Sequence, residues 1–181
     1  CAFDHSATSL IERQIGCLKR HGINDIHIAT GYRADQIEAL GYPTSYNERY
    51  NKTNMVSTLF CALDFIQQEG DLIIAYGDIV YNDENLEALL NCDDDIALMI
   101  DKKWRDLWSL RLENPLDDAE TLVMNETGHV TELGKKPENY DRIQGQYTGL
   151  IKISSSKIQA FVEFYQNLDS ELIYDGQDFD N

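Results

Sequence analysis

One continuous apolar run constrains the fold of this chain of 181 residues more than any other feature. Residues 72–76 contain no charged side chain, and a run that does not alternate predicts a strand covered on both faces, as in a parallel sheet. The run ends in Gly77 and Asp78, where a glycine permits a sharp turn of the backbone. Asp78 is therefore predicted at the carboxyl end of a central strand, the edge at which open α/β sheets bind ligands.

The carboxylate of Asp78 supports two interpretations. It is a hard-oxygen ligand suited to a Mg²⁺ ion that carries the phosphates of a nucleotide. It is equally suited to cap the following helix or to fill a turn, since a strand followed by Gly-Asp occurs in many α/β proteins. The local pattern does not separate these two interpretations.

Helical and strand patterns alternate through the first hundred residues. Residues 9–12 have capping-box spacing, and the helix that they open is predicted to end at residues 21–22. A second helix is predicted over 54–67, and Asp83 is predicted to cap a third that ends at Leu90. Predicted strands are 26–29, 42–46, 72–76 and 96–100, with a short helix over 35–40. The alternation predicts an α/β fold with a Rossmann-like, doubly wound sheet.

The pattern changes beyond Asp101. Residues 121–124 and 129–133 alternate in hydrophobicity around a turn that contains Gly128, which predicts a β-hairpin. A further strand is predicted over 146–153, and a serine run after it begins the last predicted helix. The hairpin makes the expected sheet structure mixed, and we expect residues 1–181 to form a single domain.

Charge and composition narrow the range of partners. The formal net charge is −17, which argues against a nucleic-acid backbone as partner, because phosphate binding needs clustered Lys and Arg. A single nucleotide with its Mg²⁺ ion remains compatible with this charge. The sequence has no apolar run of membrane-spanning length and no signal-peptide pattern, so we expect a cytoplasmic protein without membrane insertion. A homo-oligomer is one open option for its assembly.

The cysteines and histidines carry no recognisable motif. The four cysteines are scattered without Cys-x-x-Cys spacing, and the four histidines show no metal-ligand spacing. The sequence therefore predicts neither a zinc site nor a disulfide framework. Cys17 and Cys61 fall within apolar helical patterns, where a reduced cysteine acts as a small core residue.

Three further groups could carry chemistry, and each has a purely structural alternative. Residues 53–59 gather amides and hydroxyls at a helix N-terminus, which suits an anion or the edge of a base, or is a plain helix cap. Lys135 and Lys136 lie between Gly134 and Pro137, where a lysine could neutralise a phosphate or simply form a basic surface turn. The third group combines aromatic faces with carboxylates, which suits an ammonium group; the alternative is a tryptophan pair in the core. Its members are Trp104, Trp108, Tyr174, Asp175, Asp178 and Asp180.

Several of these segments together resemble the nucleotidyltransferase family that includes sugar-nucleotide pyrophosphorylases. The resemblance rests on LIERQI…LKRHGINDIHIATGY, TNMVSTLFCA, AYGDIVY, ELGKKP and GQYTGLIKI, in this order along nearly the whole chain. Within the family, TNMVSTLFCA, DKKWRDLW, NPLDDAETL and YDGQDFDN are most similar to the CTP-dependent branch. Its members are phosphocholine and 2-aminoethylphosphonate cytidylyltransferases. The resemblance implies a nucleotidyltransferase core of the GT-A-like type.

The resemblance also implies roles for particular residues. Asp78 would bind Mg²⁺ as the cofactor, and Asn54 with Thr58 would line the site of CTP. Lys136 would contact the transferred or the acceptor phosphate, with Lys135 as the substitute if the register differs by one. Trp108, Tyr174 and Asp175 would hold the amine or trimethylammonium head of a small phosphorylated substrate. The implied reaction is attack by the phosphate or phosphonate oxygen of that substrate on the α-phosphorus of CTP, with release of pyrophosphate.

Two parts of the family pattern have no match in this sequence, and three rival functions remain. The Gly-rich loop that cradles the triphosphate normally precedes the first helix, and a second metal-binding Asp normally lies beyond the final helices. We expect both to be missing from residues 1–181. The rivals are a sugar-1-phosphate nucleotidyltransferase, a metal-dependent glycosyltransferase, whose Asp-x-Asp element is missing at Gly77–Asp78, and a degenerate nucleotide-binding regulatory module.

Overall fold

The computed structural model of this chain describes residues 8–168 and the backbone of two short strands that follow. The helices are α1 Leu10–Arg20, α2 Ala34–Glu38, α3 Met55–Phe60, α4 Leu63–Ile66, α5 Asp83–Leu90, α6 Trp104–Trp108 and α7 Ser155–Gln166. The strands are β1 Ile28–Thr30, β2 Thr44–Tyr46, β3 Leu72–Ala75, β4 Ile96–Asp101, β5 Leu122–Met124, β6 Val130–Leu133, β7 Gln146–Ile153, β8 Ile173–Tyr174 and β9 Gln177–Asp178. Helices and strands alternate through most of the first hundred residues, as the sequence predicts, and β5, β6 and β7 follow α6 without an α-helix between them.

Local capping signals determine where the long helices begin. The Ser9 hydroxyl accepts from the backbone N–H of Glu12, and the Glu12 carboxylate accepts from the backbone N–H of Ser9, so the predicted capping box of α1 is confirmed. α5 is capped by Asn82, which corrects the prediction that Asp83 is the cap: the Asn82 side-chain oxygen reaches the N–H of Asn85. Among the described helices, none has the length and apolar character needed to cross a membrane.

A three-stranded sheet in the order β3-β7-β4 forms the centre of the molecule. β7 pairs antiparallel with both neighbours, so β3 and β4 run in the same direction and their carboxyl ends lie at the same edge. Leu72 and Ile74 face a core formed with α4 and α7, whereas Ile73 and Ala75 pack on the opposite face with Leu89 of α5. The sheet therefore has helices on both faces, as the apolar run of β3 predicts.

The position and pairing predicted for β3 are wrong in detail. In the part of the chain that the structure describes, β3 is an outer strand of its sheet and pairs antiparallel with β7, although its sequence predicts a central strand of a parallel sheet. An apolar run reports burial on both faces and carries no information about the direction of the neighbouring strand. The turn predicted after β3 is present at residues 77–78, although it does not require glycine, because φ of Gly77 lies outside the left-handed region and a Cβ there would meet no atom within 4 Å.

The helix predicted over 54–67 is two helices in the structure. α3 ends at Phe60, and the N–H groups of Cys61 and Ala62 bond to carbonyls three residues earlier in place of four. This tighter turn lets Leu63 and Ile66 of α4 pack onto the core with Leu59. No Gly or Pro marks the break, so the prediction of one continuous helix is wrong for a reason that the sequence does not display.

The remaining strands form two-stranded pairs. β1 and β2 pair in parallel, and the β5–β6 hairpin has the predicted turn, with Gly128 at φ +86°. The hairpin is joined to the start of β7 through Gln146, whose amide donates to the carbonyl oxygen of Glu120 over 2.8 Å. Trp104, Ala119 and Ile143 are the buried residues of a separate small core.

Candidate functional site

One edge of the central sheet gathers most of the predicted site elements. The N–H of Tyr76 donates to the carbonyl oxygen of Gly149 over 2.9 Å, and Asp101 at the end of β4 lies opposite Gln146. The segment after β3 and the segment after β4 therefore flank the first half of β7. Asp78 follows β3 at this edge, α6 with its tryptophans follows β4, and the hairpin before Lys135 is attached through Gln146. This is the edge at which α/β sheets bind ligands.

Asp78 is one of the residues that line a cavity of about 1050 Å³. Its side chain is exposed, and within residues 8–168 it has no hydrogen bond or ion pair. A lone carboxylate with no protein partner fits Mg²⁺, which binds through one or two carboxylates and takes its other ligands from water and substrate phosphates. The donor set at Asp78 therefore suits a metal that arrives with a nucleotide.

The cavity is a mainly apolar cleft between β1 and β3. Residues 22–29 and 68–78 line it without interruption. Since successive side chains of a strand point to opposite faces, an uninterrupted lining means that the cavity runs along the edges of both strands. Its polar groups include Gln14, Thr58 and Asp78, and the Gln14 amide donates to the backbone oxygens of Tyr76 and Ile79 over 3.0 and 2.9 Å.

Asn54 and Thr58 form the N-terminal turn of α3. The Asn54 side-chain oxygen accepts from the N–H groups of Val56 and Ser57, both over 3.0 Å, so the structural alternative of a helix cap holds for Asn54. The Thr58 hydroxyl donates to the Asn54 carbonyl oxygen over 3.3 Å. Thr58 lines the cavity together with Asp78, whereas Asn54 does not. Their contact with a nucleotide stays a prediction.

Asn47 organises the loop before α3 and was missed by sequence analysis. It is buried, and its amide nitrogen donates to the hydroxyls of Thr53 and Thr58, both over 2.9 Å. Its side-chain oxygen accepts from the N–H of Arg49. In the sequence, Asn47 lies in a polar loop with no distinguishing spacing, so only its burial identifies it as the residue that holds Thr58 in position.

Lys135 and Lys136 contact the protein itself. The Lys136 ammonium donates to the carbonyl oxygens of Leu116, over 3.3 Å, and Asp117. The Lys135 ammonium lies 3.7 Å from a carboxylate oxygen of Glu132. Neither lysine lines the cavity of Asp78. A phosphate contact through either lysine requires that its ammonium leave these partners, and their catalytic role stays a prediction.

Glu132 is held mainly by Arg142. Two guanidinium nitrogens of Arg142 donate to the two carboxylate oxygens of Glu132 over 3.0 and 2.8 Å. This pair lowers the pKa of Glu132 from its ordinary value, with Lys135 adding a smaller contribution of the same sign. The fork between Glu132 and Arg142 ties the end of the hairpin to the segment that enters β7, which leaves Lys135 only loosely engaged.

The two tryptophans of α6 have different environments. Trp104 is 4% exposed and forms the centre of the small core, whereas Trp108 is partly buried at its margin, with the rings 5.2 Å apart in an edge-to-face arrangement. The structural alternative of a core residue therefore holds for Trp104. Trp108 keeps part of its surface open to solvent, so its predicted contact with an ammonium group stays a prediction.

The structure describes little of the other two residues predicted to hold the head group. The backbone of Tyr174 lies in β8, which pairs with β9, and nothing further is described of its side chain. Asp175 lies outside the described residues, as does Asp180. Their predicted roles are unchanged.

Two lysines at the same edge were not singled out by sequence analysis. Lys102 and Lys103 follow Asp101 directly, and both are exposed. The Asp101 carboxylate accepts from the N–H of Lys103 over 2.7 Å and so fixes the turn that begins α6. The signal available in the sequence was their position after a buried strand, which is the signal that identified Asp78. Their ammonium groups could contact a bound phosphate.

Comparison with known proteins identifies the family. The model of the MobA-like NTP transferase domain matches residues 2–134. A curated relative from Campylobacter jejuni subsp. jejuni serotype O:2, CTP:phosphoglutamine cytidylyltransferase, is 41% identical over 192 aligned residues, which cover 100% of this chain and 75% of the relative. This chain belongs to the MobA-like NTP transferase family. The resemblance found in the sequence and the prediction of a nucleotidyltransferase enzyme are therefore confirmed.

Solved structures with the same fold support the architecture of this NTP transferase domain. One is a protein assigned as a glucose-1-phosphate thymidylyltransferase from Bacillus anthracis, in complex with sucrose, with a TM-score of 0.62 at 15% identity over 88% of this chain. Another is the inositol-1-phosphate CTP transferase from T. maritima, with a TM-score of 0.63 at 15% identity over 92% of this chain. This chain spans 63% and 66% of the two structures' lengths. The predicted α/β nucleotidyltransferase fold is confirmed.

Proposed function

We propose that this NTP transferase domain transfers CMP from CTP to a small phosphorylated substrate and releases pyrophosphate. The observation that carries the proposal is the 41% identity to a CTP:phosphoglutamine cytidylyltransferase along the whole chain. At that identity the residues that surround a nucleotide and its acceptor are shared more readily than at the 15% identity of the thymidylyltransferase and inositol-phosphate transferase structures. The proposal places the reaction at the sheet edge that carries Asp78.

The residues at this edge suggest how the domain would act. Asp78 would hold Mg²⁺, which supplies charge stabilisation at the phosphates when it is bound. Thr58, held by Asn47, would contact the nucleotide together with Asn54, and Lys135 or Lys136 would approach the acceptor phosphate. A phosphate or phosphonate oxygen of the acceptor forms a bond to the α-phosphorus of CTP while the bond to pyrophosphate breaks, so positioning and charge provide most of the catalysis.

For the acceptor, we propose a molecule that carries a cationic nitrogen in addition to its phosphate or phosphonate. Phosphocholine and 2-aminoethylphosphonate are the specific candidates from the sequence, and phosphoglutamine is added by the name of the curated relative. Glutamine carries an ammonium group on its α-carbon, so all three share this chemistry. Trp108, with its partly open ring, would hold the nitrogen through a cation–π contact together with Tyr174 and Asp175.

The decisive experiment is an assay of Mg²⁺-dependent pyrophosphate release by the gene-length protein. CTP and UTP would each be paired with phosphoglutamine, phosphocholine, 2-aminoethylphosphonate and glucose 1-phosphate. We expect release with CTP and at least one acceptor that contains a cationic nitrogen. Release with glucose 1-phosphate alone would favour the sugar-1-phosphate rival, and no release with any pair would favour a nucleotide-binding regulatory module.

The role of Trp108 can be separated from packing by comparison with Trp104. We expect Trp108→Ala to raise the KM for the acceptor about tenfold while the KM for CTP stays within about twofold, since a desolvated cation–π contact contributes about 1–2 kcal/mol. Trp104→Phe is the matched control, because Trp104 lies within the small core and should change stability but neither KM. An equal rise of both KM values in Trp108→Ala would mean that Trp108 acts only through packing.

A further inference from the structure

Three side chains that can bind a metal converge where α1 meets α5. Cys17 and His21 lie four positions apart at the end of α1, and Asp83 is the first residue of α5. One ligand atom from each lies within 4.8 Å of the others. Cys17 is buried, His21 partly buried and Asp83 exposed. None of the three lines the cavity of Asp78, so the cluster is distinct from the proposed active site.

A single carboxylate oxygen links the three groups. The Cys17 thiol donates to Asp83 Oδ1 over 3.4 Å, and His21 Nε2 lies 3.2 Å from the same oxygen. In a tetrahedral zinc site with bonds of about 2.3 Å to sulfur and 2.0–2.1 Å to nitrogen and oxygen, neighbouring ligand atoms lie about 3.3–3.5 Å apart. The sulfur–oxygen and nitrogen–oxygen distances in this cluster are therefore close to those of a zinc tetrahedron.

We propose that Cys17, His21 and Asp83 form a binding site for Zn²⁺, with a water molecule as the fourth ligand. A thiolate, an imidazole and a carboxylate together make the donor set that selects zinc over Mg²⁺, which prefers oxygen ligands alone. Sequence analysis predicts no zinc site, because Cys17 and Asp83 are 66 positions apart and no Cys-x-x-Cys marks the cluster. Folding creates this ligand set.

The protonation of the cluster sets the conditions for binding. Burial, reinforced by the contact with Asp83, raises the pKa of the Cys17 thiol above its ordinary value. Zn²⁺ would displace the thiol proton to solvent as the sulfur–zinc bond forms, and affinity should therefore increase with pH.

Arg20 opposes the binding of a cation at this site. Its Nε donates to Asp83 Oδ1 and its Nη2 to Oδ2, both over 3.0 Å. The guanidinium would have to give up Oδ1 and keep only Oδ2 when a metal binds. Because Arg20 both competes for the ligand atom and repels the ion, its removal should tighten the binding of Zn²⁺.

A metal at this position would connect α1 with the segment that carries Asp78. That segment runs directly from β3 into α5, and α1 already holds it through the contacts of Gln14 with Tyr76 and Ile79. A bond through Asp83 would add a second attachment of the same segment to α1. We therefore expect Zn²⁺ to raise the thermal stability of the domain by mass action, because the unfolded chain does not hold the three ligands together.

The test is titration of the full chain with Co²⁺, a spectroscopic substitute for Zn²⁺, in excess Mg²⁺ to occupy oxygen-only sites. We expect one equivalent to bind with a thiolate-to-cobalt absorption band, and added Zn²⁺ to displace it. Cys17→Ser should abolish the band, and His21→Gln should weaken binding about tenfold or more. Cys61→Ser is the matched control, because Cys61 is a free, exposed thiol outside the cluster and should leave binding unchanged.

Arg20→Gln provides a test in the opposite direction. We expect it to bind Co²⁺ several-fold more tightly than the parent protein, a result that general damage to the fold does not produce. Thermal unfolding without metal would verify that each variant is folded. The proposal is overturned if the parent protein shows no thiolate band, if the band survives in Cys17→Ser, or if Arg20→Gln and the parent bind equally.

Discussion

Asp78 and Asp83 lie five positions apart, in the segment that leads from β3 into the first turn of α5, and their two carboxylates have opposite environments. Asp83 contacts Arg20, His21 and Cys17, and the bond from Arg20 makes the largest contribution to lowering its pKa. Asp78 lies exposed at the cavity, with no hydrogen bond or ion pair to any residue from 8 to 168. The carboxylate of Asp83 is paired within the protein, whereas the carboxylate of Asp78 has no partner within residues 8–168 and can bind a ligand.

The contrast separates residues that maintain a fold from residues that act on a ligand. A charged group that the protein satisfies contributes to stability, and its removal leaves its partners without their counter-charge. A charged group that faces solvent without a partner contributes little to folding, so its presence at the ligand-binding edge of a sheet favours function. The pair predicts that equivalent substitutions at the two positions have different consequences.

The largest expected effect is on catalysis by Asp78→Asn. Loss of the negative charge should remove the proposed Mg²⁺ ligand, and metal stabilisation of phosphate charge contributes several kcal/mol, so we expect kcat to fall about a hundredfold or more. The midpoint of urea unfolding should be unchanged, because Asp78 has no partner to lose within residues 8–168. The measurement is pyrophosphate release over a range of Mg²⁺ concentrations.

Two control variants sharpen this result. Asp64→Asn removes an exposed carboxylate of α4 and should leave both kcat and stability unchanged. Asp83→Asn should lower the urea midpoint and leave kcat unchanged, the reverse of Asp78→Asn. Near-normal turnover in Asp78→Asn would show that Asp78 is not a metal ligand and would contradict its proposed functional role.

Two glycines extend the same contrast to the backbone. Gly149 has φ +84°, and a Cβ there would lie 2.8 Å from ring atoms of Tyr76. Gly149→Ala should therefore cost about 2–4 kcal/mol of unfolding free energy through backbone strain and overpacking. Gly77 has no such constraint, so Gly77→Ala should leave stability unchanged or raise it by up to about 1 kcal/mol.

We expect the order of the two glycine substitutions to be reversed in their effect on ligand binding. Because nothing in the described chain requires glycine beside Asp78, we expect Gly77→Ala to act through the ligand and to raise the KM for CTP. Denaturant unfolding and steady-state kinetics of both variants would test this. A loss of stability in Gly77→Ala equal to that of Gly149→Ala would show that both glycines serve the fold.

The parts of the molecule that could be predicted are those with local signals. The capping box at Ser9 and Glu12, the turn at Gly128 and the burial of β3 each depend on residues within a few positions of one another. The position of Asp78 at a ligand-binding edge followed from the same kind of signal, since a buried strand and the residue after it are adjacent in sequence.

The parts that could not be predicted depend on distant contacts. The partners of Asp83 come from α1, more than 60 positions away, and Lys136 bonds to carbonyls 19 and 20 positions before it. The burial of Asn47 and the break after α3 are likewise set by packing that no spacing rule encodes. Sequence patterns therefore predicted the position of Asp78 after a buried strand better than the partners of the side chains around it.

The smallest expected effect is the pH dependence that Asp83 adds to stability. Arg20 and His21 hold the pKa of Asp83 below its ordinary value of 3.8, so the folded state favours the charged carboxylate. This contribution is present above about pH 4 and is lost as the pH falls through the lowered pKa. We therefore expect the difference in urea midpoint between the parent protein and Asp83→Asn to be largest near pH 6–7 and to shrink as the pH falls below about 4. The difference should be small throughout, because the ion pair with Arg20 is exposed. Asp64→Asn should show no such pH-dependent difference, and a difference for Asp83→Asn that stays constant across this range would mean that Asp83 stabilises the domain through packing of its uncharged form.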